Sequence, residues 1–237
     1  MNRPIAITLG DAAGIGPEII AKSFRDAPQE THDCFVVGDV ATLRRAVGFI
    51  GGAGRASVPV AVIQAPREAL NAPPRCIPVL QIPGLQQPVP LGAVSSLAGK
   101  FAADCVVWAA RAALGGEIAA LVTAPLHKEA LAAAGITYPG HTELLQAEAA
   151  AYRGKPVGEV PVRMMLANSE LSTVLVSIHV SLRAAIEAVN FGNVLQTLRI
   201  AHQCVRGPVG SARHHRPRIG VAGLNPHAGE GGLFGRE

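Results

Sequence analysis

The sequence predicts an α/β protein built on a parallel sheet. Two observations carry that prediction: short apolar runs alternate with helix-period segments along the first half of the chain, and the first run empties into a glycine-rich turn that opens a helix. A third is composition. With 237 residues, 49% hydrophobic and 16% charged, the chain can bury a large core, as one large domain or two smaller ones.

The first strand is expected over residues 4–9, followed by Gly10-Asp-Ala-Ala-Gly-Ile-Gly-Pro-Glu18 and a helix from Pro17, where proline suits the first turn. Neither GxGxxG nor GxxxxGK[ST] is satisfied, so this turn reads as a tight helix-on-sheet junction or as a loose relative of a phosphate loop. Strands at 34–38 and 58–63 flank a helix at 41–49, in βαβ alternation. Residues 65–91 are rich in proline and polar turns and read as a surface loop with room for one edge strand at 76–82. A long helix over 95–114 repeats Leu97, Phe101, Cys105 and Trp108 at helical spacing, which places Trp108 in the core.

The densest stretch is 121–145. A strand at 118–123, bounded by Gly116 and Pro125, is expected to be buried on both faces of the sheet. A helix follows from Lys128, stops at Gly135, and turns through Tyr138-Pro139-Gly140 into a second helix for which Thr142 is the expected cap. Thr123, His127, Lys128, His141 and Thr142 would then share a strand-end crevice, where open α/β sheets bind ligands. Lys128, His141 and Thr142 offer donors for phosphate or carboxylate.

Two strands at 162–167 and 172–178 form an expected hairpin around Asn168-Ser-Glu170. Ser181 caps a helix with the stripe Leu182, Ala185, Ile186 and Val189; a break at 190–193 precedes a second helix to about residue 205. A polar linker, 206–217, carries His214 and His215, and a last strand at 219–224 opens onto Asn225-Pro-His-Ala-Gly-Glu-Gly-Gly. A glycine-rich loop normally sits between elements, so the chain is expected to be cut in mid-fold.

Net charge is +4, basic residues are scattered and aromatics are 4%, so no stacking platform or basic stripe for nucleic acid is present. An anionic small molecule is the better match. Cys34, Cys76, Cys105 and Cys204 lie far apart without CxxC spacing, which predicts reduced thiols and a cytoplasmic protein. No signal pattern or membrane-length apolar run is seen. His179 and His227 both follow apolar strands, either as satisfied structural residues or as a pair of imidazoles for a divalent metal that needs further ligands. A metal facing a substrate hydroxyl suits alcohol oxidation, and equally a metal hydrolase.

Assembled, these motifs resemble the 4-hydroxythreonine-4-phosphate dehydrogenase family of pyridoxal phosphate biosynthesis. The matching segments are 10–18, Thr123-Ala-Pro-Leu-His-Lys128, Gly135 through Pro139-Gly-His-Thr-Glu143, Met164-Met-Leu-Ala167, Ile178-His-Val-Ser-Leu-Arg183 and 223–232, in family order. The resemblance implies two α/β domains of the isocitrate- and isopropylmalate-dehydrogenase type, at 1–127 and 128–237, the second incomplete. It implies a homodimer with active sites at the interface and NAD- or NADP-dependent oxidation of 4-phosphohydroxy-L-threonine, with decarboxylation to 3-amino-2-oxopropyl phosphate. By motif position His141 and Thr142 contact substrate, His179 and His227 bind a divalent cation (zinc, magnesium or cobalt), and Lys128 is a further site residue. Ala12 stands where the family usually has proline. The family's third metal histidine and later substrate-binding residues are expected after residue 237. Dehydrogenases of D-threonate or D-erythronate 4-phosphate share the same site residues, and an inactive fragment is the third reading.

Overall fold

The computed structural model describes residues 2–51, 58–138, 140–206 and 218–236. It divides into two compact units, Met1–Val160 and Pro161–Glu237. The first unit continues to Val160, with two further helices packed onto its longest one.

Unit 1 is an α/β layer structure in the order β1 (Ile5–Thr8), α1 (Gly16–Asp26), β2 (Cys34–Gly38), α2 (Val40–Ile50), β3 (Val60–Ile63), β4 (Ile77–Gln81), α3 (Ser96–Leu114), β5 (Ala120–Thr123), α4 (Lys128–Ala133) and α5 (His141–Tyr152). Its five strands are all parallel, in the order β3-β4-β2-β1-β5. β2 is buried throughout, and Phe35 meets Trp108 of α3 edge to face at 6.1 Å, which fixes α3 on that side of the sheet. Two helix starts are side-chain capped: Asp39 accepts from the Thr42 N–H at 2.7 Å and Ser95 from the Ala98 N–H at 3.3 Å.

Two strands differ from expectation. β4, expected at an edge, is interior, between β3 and β2. Its Pro78 is tolerated because pairing with β2 begins one residue later, at Val36 opposite Val79, so the missing N–H falls outside that ladder. β5, expected to be buried on both faces, is the sheet's edge: β1 is its only partner among the described residues, and Val122 is 52% exposed while Leu121 packs against the core.

In unit 2 the expected hairpin forms from β6 (Met165–Ala167) and β7 (Ser172–Val174), which are antiparallel. The Asn168 side chain closes the turn by accepting from the N–H groups of Glu170 and Leu171. Ser181 caps α6 (Leu182–Ala188), and Asn190 accepts from the Asn193 N–H at 3.0 Å to start α7 (Phe191–Arg206). In the apolar stripe of α6, Leu182 is 80% exposed and Ile186 is exposed, while Ala185 and Val189 are partly buried. Residues 219–224, expected as a strand, have no ladder partner among the described residues and run as irregular chain. His214 and His215 lie outside the described residues. No described helix is long and apolar enough to cross a membrane.

Candidate functional site

From β1 the chain moves to β2 on one side, and from β4 it crosses to β5 on the other. Right-handed crossovers in opposite directions put α1 and α3 on opposite faces, so the loops after β1 and β5 diverge and leave a crevice at neighbouring strand ends. Those loops are stitched together. The Asp11 N–H donates to the Pro125 carbonyl at 2.9 Å, and the Ala124 N–H to the Thr8 carbonyl at 3.2 Å.

The glycines of the first loop are explained by this closeness. Gly10 has φ +72°, and a Cβ there would lie 2.6 Å from the Pro125 oxygen; one at Gly16 would lie 2.6 Å from the Leu9 oxygen. Arg45 donates to the Ala12 carbonyl at 3.0 Å, and the buried Asp11 carboxylate accepts from the Ala13 N–H at 3.0 Å. Packing thus accounts for Gly10 and Gly16 of this loop.

The β5 loop delivers the predicted site residues of unit 1. His127 caps α4, its Nδ1 accepting from the Ala130 N–H at 3.3 Å, which leaves Lys128 as an exposed first helical residue. His141 is the first residue of α5, and its half-buried ring bonds the Ala124 carbonyl. Burial lowers its pKa from the ordinary 6.5, and the Ala124 bond opposes that shift only in part. The imidazole is therefore neutral at pH 7. With one ring N–H committed to Ala124, the buried Nε2, which has no partner, presents a lone pair.

Thr142 differs from expectation. It is the second residue of α5, not its cap; Gly140 holds the cap position and supplies no side-chain bond. The first N–H groups of a 12-residue helix thus start beside His141 without a side-chain acceptor at the cap, a setting that favours an anion. Thr8 is a residue that the sequence reading missed; a polar residue ending an apolar strand two positions before Gly10 was the available signal.

Unit 2 holds the two histidines expected to bind metal. His179 is exposed with φ +56°. His227 has φ +51°, stacks near Phe234 at 5.9 Å, and begins a left-handed run through Ala228, Gly229, Glu230 and Gly231. Imidazole nitrogen is a good donor for zinc or cobalt, whereas magnesium prefers oxygen ligands. Among the described residues, however, no three His, Cys, Asp or Glu side chains gather as a metal would require.

A parallel sheet whose strand order reverses direction between β1 and β5 defines the open α/β class, in which ligands bind at such a switch point. Comparison with known proteins is specific: the family model for pyridoxal phosphate biosynthetic protein PdxA matches residues 30–237. The chain belongs to that family. It is 44% identical over 237 residues to a 4-hydroxythreonine-4-phosphate dehydrogenase of Beijerinckia indica, covering 100% of this chain and 65% of that protein. It is 39% identical to a D-threonate 4-phosphate dehydrogenase of Pectobacterium atrosepticum, covering 100% of this chain and 68% of the relative. The crystal structure of the Klebsiella pneumoniae 4-hydroxythreonine-4-phosphate dehydrogenase superposes with TM-score 0.83 at 38% identity, over 99% of this chain and 66% of that one. The chain thus spans about two thirds of the length of these relatives.

Proposed function

We propose that the protein is an NAD- or NADP-dependent dehydrogenase that oxidises the secondary alcohol of 4-phosphohydroxy-L-threonine, the resulting β-keto acid losing carbon dioxide to give 3-amino-2-oxopropyl phosphate. The observation that carries this reading is His141: a neutral imidazole with an unpartnered buried Nε2, held by Ala124 at the switch point, in a chain of this family. Its lone pair accepts a hydrogen bond from a substrate hydroxyl. The first turn of α5, whose cap Gly140 makes no side-chain bond, with Thr142 and the exposed Lys128 ammonium, supplies donors and positive charge for the substrate's phosphate or carboxylate.

A bound nicotinamide would supply the hydride acceptor, and a bound divalent cation would supply a Lewis acid for the alcohol oxygen. His179 and His227 are the proposed contributors to that cation's site, although the described residues by themselves do not complete one. The wider proposal is a cytoplasmic homodimer with the two-domain architecture of isocitrate- and isopropylmalate-type dehydrogenases.

A second reading is D-threonate 4-phosphate dehydrogenase, favoured by the 39% identity to the Pectobacterium protein of that name over the whole chain. NADH absorbance with each substrate, in the presence of zinc, magnesium or cobalt, separates them. Turnover of 4-phosphohydroxy-L-threonine above that of D-threonate 4-phosphate supports the first reading, and the reverse order supports the second. Absence of turnover with either substrate and either nucleotide overturns both for this chain.

A further inference from the structure

Among the described residues, two buried side-chain atoms lack a hydrogen-bond partner: Thr8 Oγ1 and His141 Nε2. Thr8 is 0% exposed, and a hydroxyl desolvated to that degree without a partner is costly. Both atoms belong to one corner of unit 1.

The sheet register fixes the side on which Thr8 projects. Phe35 faces α3 through Trp108, Ala6 pairs with Phe35, and Thr8 lies two residues further along β1, opposite Val37 and Thr123. Side chains two apart on a strand share a face, so Thr8 projects to the α3 side at the carboxyl end of β1. α5 lies along α3 on that side, with Leu144 packed among Ala103 and Val106 and with Glu148 bridged to Arg111 at 2.7 Å. Running with α3 in this way, α5 brings its first residue, His141, to the same end of the sheet. Ala124 links the pair, giving its N–H to the Thr8 carbonyl and its own carbonyl to the His141 ring.

We propose that Thr8 is a positioning residue for His141: in the substrate-free site one buried water bridges Thr8 Oγ1 and His141 Nε2, and a substrate hydroxyl takes that water's place at Nε2. The water donates to the Nε2 lone pair while Ala124 holds the opposite ring N–H, so the imidazole keeps one tautomer and one orientation. The consequence for turnover rests on the reading of His141 as a substrate contact; the bridge itself does not.

A crystal structure of this chain at a resolution that shows ordered water is the first test. One water within hydrogen-bond distance of both atoms is expected; no shared water overturns the proposal. The second test is imidazole nitrogen NMR on the 15N-histidine-labelled protein, its His141 signals assigned with His141→Gln. Thr8→Val keeps the shape and removes the hydroxyl, and it is expected to give a mixture of His141 tautomers, whereas Thr8→Ser keeps the wild-type pattern. Wild-type signals in a folded Thr8→Val overturn the proposal. Should Thr8→Val fail to fold, the water and the Ser variant decide, a changed tautomer in Thr8→Ser counting against the bridge. In turnover, loss of the hydroxyl is expected to lower kcat/KM about three- to tenfold, with Ser restoring it. A chain that shows the bridge and the single tautomer but no turnover overturns the dehydrogenase reading and leaves Thr8's role standing.

Discussion

Gly99 of α3 lies so close to Ala130 of α4 that a Cβ at position 99 would stand 2.1 Å from the Ala130 carbonyl oxygen and 2.3 Å from its carbonyl carbon. The contact is with backbone, which cannot swing away. It fixes the helix that begins at Lys128, and through Leu131 and Leu144 it sets how α5 carries His141.

Gly99→Ala is therefore expected to destabilise unit 1 by about 1–3 kcal/mol through overpacking, despite alanine's better helix propensity. Gly48 in α2 has nothing within 4 Å of its ideal Cβ, so Gly48→Ala is the matched control and is expected to stabilise by about 0.5–1 kcal/mol. Urea denaturation of both variants checks the pair. Equal effects of the same sign would refute the close approach.

Asp39 joins two elements as well as capping α2. One carboxylate oxygen accepts from the Thr42 N–H and hydroxyl at 2.7 and 2.8 Å, and the other accepts from Gln81 Nε2 at 3.0 Å. Asp39→Ala is expected to cost about 2–3 kcal/mol, more than an isolated cap, because it strands buried donors. Ser95→Ala, which removes one longer cap bond at 3.3 Å, is expected to cost about 1 kcal/mol. Thermal unfolding of the two variants gives the order.

His141 sets a pH dependence whose sign is determined. Burial lowers its folded pKa below the ordinary 6.5, so below 6.5 the unfolded chain binds more protons and stability falls as pH drops toward the folded value. Above 6.5 the contribution is fully present. NMR titration is expected to place the His141 midpoint under 6.5, and His141→Gln to flatten the loss of stability in that acid window. A midpoint above the ordinary value would contradict the buried placement.

Thiol accessibility gives a fourth outcome. Cys34, Cys76 and Cys105 are buried and only Cys204 is exposed; burial also pushes the three buried thiols up in pKa, Cys105 most. One thiol per chain is expected to react rapidly with Ellman's reagent in the native protein, and none in Cys204→Ser. Fast labelling of two or more would show that unit 1 opens readily.

Most of unit 1 was legible in the sequence because its signals are local. β2 matches its predicted span residue for residue, α2 and α3 begin within a residue of their predicted starts, and Gly135 takes the expected left-handed cap conformation at φ +75°. The helix at GHTE was read correctly and its cap was not, since Gly140 and Thr142 lie only two positions apart and backbone dihedrals alone fix the boundary between them. In unit 2 the Asn168 turn and the Ser181 cap were legible for the same local reason.

What failed was whatever depends on a neighbour distant in sequence. Pro78 argued for an edge strand, and β5's apolar run argued for an interior one; strand order reversed both, because edge or interior status belongs to the sheet and not to the strand. Residues 219–224 have strand composition but no described partner, and a ladder requires two. By itself the sequence determined the parallel α/β class, the family resemblance and the identity of the residues gathered after β5. Only the tertiary structure decided that β1 and β5 are neighbours, and therefore that Thr8, Ala124 and His141 belong to one corner, because hydrogen-bonded register between strands more than a hundred residues apart leaves no local trace in the chain.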